Sequence, residues 1–192
     1  KLNGSGFDPS LFHDSDGKKY LLNMRWDYRY DSDQERFRGI LIQEYDHSAQ
    51  KLVGKPRVVF TGTERGITEG PHMFKKDGWY YIMTAEGGTG LPHCATLARS
   101  RNIYGPYELH PNKHVITAWK TDCTLQKAGH ASLCCGRDGE WVLAHLCGRP
   151  LRSGRCMLGR ETAIQNVMLP LSFSNTPRNR RHDIASDALS RV

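Results

Sequence analysis

No stretch of the 192-residue sequence stays apolar for the about 20 residues that a membrane-crossing helix needs, so a helical membrane span is excluded. The sequence given starts at Lys1 without a basic-then-apolar leader, so no signal peptide is visible, as would also hold for an internal fragment. Helical periodicity is equally absent. The formal charge is +7, but the lysines and arginines are interspersed with acids, and the one compact basic cluster is Arg178, Arg180 and Arg181. A solvated surface, with no nucleic-acid partner, is the expectation. The six cysteines, Cys94, Cys123, Cys134, Cys135, Cys147 and Cys156, do not fall at the short C-x-x-C type spacings of zinc sites. They read as buried free thiols, which favours a reducing compartment such as the cytoplasm.

What the sequence does contain is an internal repeat. Asp8-Pro-Ser-Leu-Phe leads to Asp16-Gly17, Glu69-Gly-Pro-His-Met-Phe to Asp77-Gly78, and His130-Ala-Ser-Leu-Cys to Asp138-Gly139. The leading residues Asp8, Glu69 and His130 are 61 positions apart, and each turn glycine follows its leading residue by nine. An Asp-Gly pair favours the positive φ angles of a tight hairpin, and apolar or β-branched segments flank each one. Third-strand candidates follow at Gly39–Gln43, Ala95–Ala98 and Thr162–Gln165, with Arg38, Arg99 and Arg160 also in register. Gly54 to Pro56 and Gly105-Pro106 read as the next turns, leading to Val58–Phe60 and Val115–Thr117.

Four strands in about 60 residues, repeated, describe the blades of a β-propeller. A sandwich of hairpins would not need so regular a signature. In a propeller, Asp8, Glu69 and His130 would begin the innermost strands and share one central cavity. Two carboxyl groups and an imidazole in one cavity suit acid–base chemistry, and glycoside hydrolysis uses a protonated carboxyl beside an ionised one. A nearby negative charge and partial burial both favour the protonated form of a carboxyl. Singly, Asp8 and Glu69 would pass for turn residues, His130 for a hydrogen-bonded core histidine and Arg160 for a surface charge; the shared register is what raises them. Glu86, entering the glycine-rich loop Glu86–Gly90, is a rival acid, and that loop lacks the GK[ST] of a phosphate loop. Trp79 and Trp141 occupy the repeated strand position and read as blade core, leaving Trp26 and Trp119 without a role.

The segments Gly6–Asp14, Leu21–Met24, Thr68–His72, Thr84–Thr89, Gln126–His130, His145–Pro150 and Gly159–Gln165, in this order, closely resemble the β-xylosidases of glycoside hydrolase family 43. The resemblance runs from about residue 1 to about residue 166. It implies an all-β, five-bladed β-propeller, of which about three blades are present here over 1–166, with residues 167–192 as an atypical and possibly disordered tail. It implies an inverting hydrolase that removes xylose from the non-reducing ends of xylo-oligosaccharides in xylan degradation, with α-L-arabinofuranosides as further substrates. By the same resemblance Glu69 is the general acid, Asp8 tunes it, and His130 and Arg160 bind the sugar. No cofactor is implied, although a divalent cation such as calcium near His130 is compatible with the family.

The resemblance also places the family's catalytic base upstream of Asp8, in a blade this sequence does not include. Two further readings therefore stand beside the hydrolase: a non-catalytic carbohydrate-binding propeller and an inactive truncated product. Oligomeric state is not legible.

Overall fold

The computed structural model describes residues 5–167 and residue 173. The expected tail, 167–192, lies outside the described residues except for Val167, which ends the last strand, and Phe173, which packs edge-on against His110 at 4.9 Å. The fold is all-β. In chain order the strands are β1 (Gly6–His13), β2 (Lys19–Trp26), β3 (Phe37–Asp46), β4 (Lys51–Phe60), β5 (Thr68–Lys76), β6 (Trp79–Glu86), β7 (Cys94–Ser100), β8 (Glu108–Thr117), β9 (Gln126–Cys135), β10 (Trp141–Gly148) and β11 (Glu161–Val167). They form three successive sheets, β1-β2-β3-β4, β5-β6-β7-β8 and β9-β10-β11, with every strand beside its sequence neighbour. These are the three blades that the repeat predicts, the last with three strands among the described residues.

By chain contacts the protein divides into two compact units, Lys1–Thr84 with Ala98–Leu109, and Ala85–Leu97 with His110–Val192. The first has a core of large side chains, including Phe12, Tyr20, Leu22, Met24, Ile40, Ile42, Phe60 and Ile82. These come from alternating positions, as a half-buried strand requires. The buried residues of the second unit include many small ones, among them Ala85, Ala95, Ala118, Ala128 and Ala131.

The three Asp-Gly hairpins are not built alike. Asp77 and Gly78 both take positive φ, 52° and 73°, and form a two-residue turn between β5 and β6. In the first and third hairpins only the glycine is left-handed, Gly17 at 89° and Gly139 at 78°. There the loop is one residue longer: Gly17 N donates to Asp14 O and Asp14 N to Lys18 O, and Gly139 N donates to Gly136 O and Gly136 N to Glu140 O. One dipeptide thus serves both favoured short hairpins, the two-residue primed turn and the type I turn closed by a left-handed glycine.

Two local expectations need correcting. Gly54–Pro56 is not a turn; β4 runs through it, and the register between β3 and β4 shifts there, so the segment is a bulge on an exposed edge strand. Proline is tolerated at such a place because no ladder donor is needed. A single helical turn, α1 (Asp33–Arg36), lies between β2 and β3, capped by Ser32, whose hydroxyl oxygen accepts from Glu35 N at 3.3 Å.

Within the first unit β1 lies against β5, and the contacts repeat the sequence period. Ser10 Oγ donates to Pro71 O, 61 residues away. Lys75 Nζ donates to Asp14 Oδ1 at 2.6 Å, again 61 residues apart. Tyr80 Oη donates to the other oxygen of Asp14 at 2.6 Å and in turn accepts from Lys75 at 3.0 Å. Asp14 is buried, 8% exposed. Burial alone would raise its carboxyl, but the hydrogen bonds from Lys75, Tyr80 and Ser15 prevail and hold it below the usual carboxylate range.

Asp14→Asn should therefore destabilise the protein by about 2 kcal/mol, the scale of hydrogen bonds to a charged group, as read from urea unfolding at neutral pH. A depressed carboxyl contributes stability that is present above its unfolded value, near 3.8, and is lost as pH falls through the lower folded value. The parent should lose this contribution in that acid window, and the variant should show a flatter stability profile there. An identical acid profile for the two proteins would refute the role given to Asp14.

Candidate functional site

The leading residues of the first and third repeats sit on irregular backbone, and in the second repeat the residue after the leading one does. Asp8 has φ of 52° in the middle of β1, where the pairing with β2 shifts register between Phe7 and Ser10. His130 has φ of 48° in β9, where the pairing with β10 shifts between Gly129 and Ser132. In β5 the positive φ, 55°, falls on Gly70, next to Glu69. A bulge at a strand start turns a side chain away from the regular alternation. Left-handed backbone costs a non-glycine residue about 1–3 kcal/mol, least for Asp, Asn and His. Such strain at matching repeat positions is an expenditure that hairpin folding alone does not require.

In the first unit the bulges bring Asp8 and Glu69 together. Gly70 N, the amide after Glu69, donates to Asp8 Oδ2 at 3.1 Å. Both residues are part-buried. Beside Asp8, the Phe7 ring, 37% exposed, meets Trp26 at 5.7 Å between centroids, forming an apolar face that the sequence reading left without a role.

The second unit holds His130 and Arg160, and also a histidine within their electrostatic reach that sequence reasoning missed. His93 is 2% exposed. Its Nδ1–H donates to Lys127 O at 3.0 Å, so Nε2 carries the lone pair. Thr117 Oγ1 donates to His93 O at 3.3 Å, fixing the backbone that carries the ring. Burial pushes the imidazole below its ordinary value; the Lys127 carbonyl opposes this, and the positive charges of His130, Arg160 and His145 reinforce it. His93 is thus a neutral imidazole at pH 7 amid potential cations. His145, likewise buried, is lowered by desolvation although its Nδ1 bonds Leu146 O at 3.1 Å. A solitary histidine carries no periodic signal, which is why His93 was not legible.

The closeness of this packing is visible at Gly129. A Cβ there would lie 2.5 Å from His93 Cδ2 and 2.8 Å from the backbone N of Cys94. Arg160 itself is exposed, just before β11. Glu86, the rival acid, is fully buried at the end of β6, away from solvent. Trp79 is half-buried, with the guanidinium groups of Arg99 and Arg101 4.1 and 3.9 Å from its ring centroid. Trp119 is 37% exposed with Lys120 over its ring. Of the six thiols, which are all free, only Cys94 and Cys147 are buried; Cys134 and Cys135 are exposed, because they end β9 on an open hairpin. His130 does not belong to the three-donor metal-type group found among the described residues, Glu86, Cys94 and His114.

The consecutive antiparallel blades are part of a five-bladed β-propeller. Residues 1–169 match the model of glycosyl hydrolases family 43, and the chain belongs to that family. It is 55% identical over 177 residues to a β-xylosidase of Bacillus subtilis, covering 87% of this chain and 33% of that protein. It is 54% identical to the xylosidase/arabinosidase 43B of Humicola insolens, covering 86% of this chain and 31% of that protein. Among solved structures, the xylan β-1,4-xylosidase of Bacillus halodurans superposes with a TM-score of 0.82 at 56% identity, over 87% of this chain and 32% of that one. The chain thus spans about a third of the length of these relatives.

Gly129→Ala should lower stability by about 1–3 kcal/mol, the usual range for forcing a methyl group into a packed site. Gly139→Ala, where nothing lies within 4 Å but φ is +78°, should cost only the backbone strain of about 1 kcal/mol. Parallel urea titrations of the two variants would separate the steric from the conformational penalty, and equal midpoints would contradict the packing described for His93.

Proposed function

We propose that this chain is the central part of an inverting exo-glycosidase that releases xylose from the non-reducing ends of β-1,4-xylo-oligosaccharides and also accepts α-L-arabinofuranosides. Glu69 is the general acid, Asp8 keeps it charged with its proton, and His130 and Arg160 hold the sugar. The observation that carries this reading is the hydrogen bond from Gly70 N to Asp8 Oδ2 at 3.1 Å. It seats a carboxylate against the backbone that bears Glu69, and a negative charge so placed favours the protonated form of its neighbour.

In the reaction Glu69 gives its proton to the glycosidic oxygen as the C1–O bond breaks. A carboxylate on a blade outside this chain takes a proton from water, which attacks the opposite face of C1. Asp8 would hold Glu69 ready to donate its proton, and the tilted Phe7–Trp26 pair offers apolar edges against which a pyranose ring can rest. The relatives named β-xylosidase and xylosidase/arabinosidase support the choice of sugars. Because the base lies elsewhere, the chain by itself should bind xylo-oligosaccharides without turning them over, which is also how a purely carbohydrate-binding propeller would behave.

The test is made in a chain extended to the length of its relatives. Glu69→Gln should lower kcat by about 10²–10⁴, the usual contribution of a positioned general acid, on an aryl β-D-xyloside with a poor leaving group. The loss should be much smaller with an activated nitrophenolate, which departs without help. Proton NMR should detect the α-anomer of xylose as the first product. An extended protein that folds and binds xylo-oligosaccharides but hydrolyses nothing would leave only the binding function.

A further inference from the structure

The last three strands of the middle blade bring together a second group of reactive side chains. Glu86 ends β6, Cys94 opens β7, and His114 lies in β8. One donor atom from each falls within 4.8 Å of the others. Glu86 and Cys94 are fully buried, and His114 is half-buried. Cys94 Sγ lies 3.4 Å from His114 Nδ1. A tetrahedral ion with bonds of about 2.3 Å to sulfur and about 2.0 Å to nitrogen would hold those two atoms at nearly that separation. Thr96 Oγ1 is 3.1 Å from the same ring nitrogen, two residues along β7 on the same face. Without a metal these groups form a hydrogen-bonded cluster in which the thiol also reaches Glu86 O at 3.7 Å.

We propose that Glu86, Cys94 and His114 form a site for one zinc-type divalent cation, with the Thr96 hydroxyl or a water completing four-coordination. Thiolate, imidazole and carboxylate together are a borderline-soft donor set, which suits zinc and disfavours calcium or magnesium. On binding, the Cys94 thiol gives up its proton to solvent, and the imidazole contributes its Nδ1 lone pair. The two negative ligands then balance the two charges of the ion. Glu86 and Cys94 bracket the glycine-rich loop of residues 87–93, so the ion would tie both ends of that loop to β8. Its role is structural: the carboxylate and the thiol are buried away from solvent, and the inference does not depend on the hydrolase reading.

The experiment uses the whole chain carrying Cys134→Ser and Cys135→Ser, which removes the exposed neighbouring thiols as competing ligands. Metal-stripped protein is titrated with cobalt(II). The expected result is a thiolate-to-cobalt charge-transfer band in the near ultraviolet that saturates at one equivalent, together with visible bands of tetrahedral intensity, all abolished by added zinc. Cys94→Ser should eliminate the charge-transfer band, and Glu86→Gln should weaken binding by at least about tenfold. If Cys94→Ser does not fold, the Glu86→Gln titration and a zinc-dependent rise in the thermal midpoint of the parent decide. No cobalt band, a band that survives in folded Cys94→Ser, or affinity unchanged in Glu86→Gln would overturn the proposal and leave a hydrogen-bonded cluster only.

Discussion

The first unit depends on one contact, the seating of β1 against β5 by groups that occupy the same place in successive repeats. Ser10 bonds the carbonyl of Pro71, and Asp14 bonds Lys75, each pair separated by 61 residues. The first strand of each blade is an edge of its own sheet, and here β1 finds its side-chain partners on the first strand of the next blade. Equal spacing follows: a shift of one residue would turn every side chain of β5 to the wrong face. The ion pair at the far end of the strands and the bond from Asp8 to the amide of Gly70 at the near end hold that register from both sides.

The regularity is broken at the leading positions of the repeats. Asp8 and His130 depart from extended backbone at the position where Glu69 is followed by a left-handed glycine. The same bulge that relieves a crowded strand start aims a polar side chain out of the alternation that would otherwise hide it. In the second unit the neighbouring imidazole of His93 is fixed by Lys127 O and can approach only because residue 129 has no side chain. Small residues dominate that core for a similar reason, since backbone must come close to buried rings.

Much of this was legible in the order of residues. Asp-Gly pairs flanked by apolar runs announced the hairpins, and the constant spacing announced the blades, because both signals are local and repeat. Asp8, Glu69 and His130 stood out for the same reason, recurring at one register, and their proposed roles rest on that recurrence. Features that depend on a single tertiary contact were not legible. The burial of Glu86 and His93 is decided by strands distant in sequence, and the exposure of Cys134 and Cys135 by the open end of a hairpin. The bulge through Gly54–Pro56 resembled a turn because the same residues serve both purposes. Two signals were available and went unused: Ser32 and Glu35 form a capping pair for α1, and Asp14 and Lys75 are opposite charges one repeat apart.

The left-handed angles at Asp8 and His130 carry a consequence for how such a protein can change. At both positions glycine would relax the backbone, so the replacement that erases the functional side chain also removes conformational strain. Selection or engineering for thermal endurance alone would therefore drift toward a sturdier molecule in which both of these polar side chains are gone.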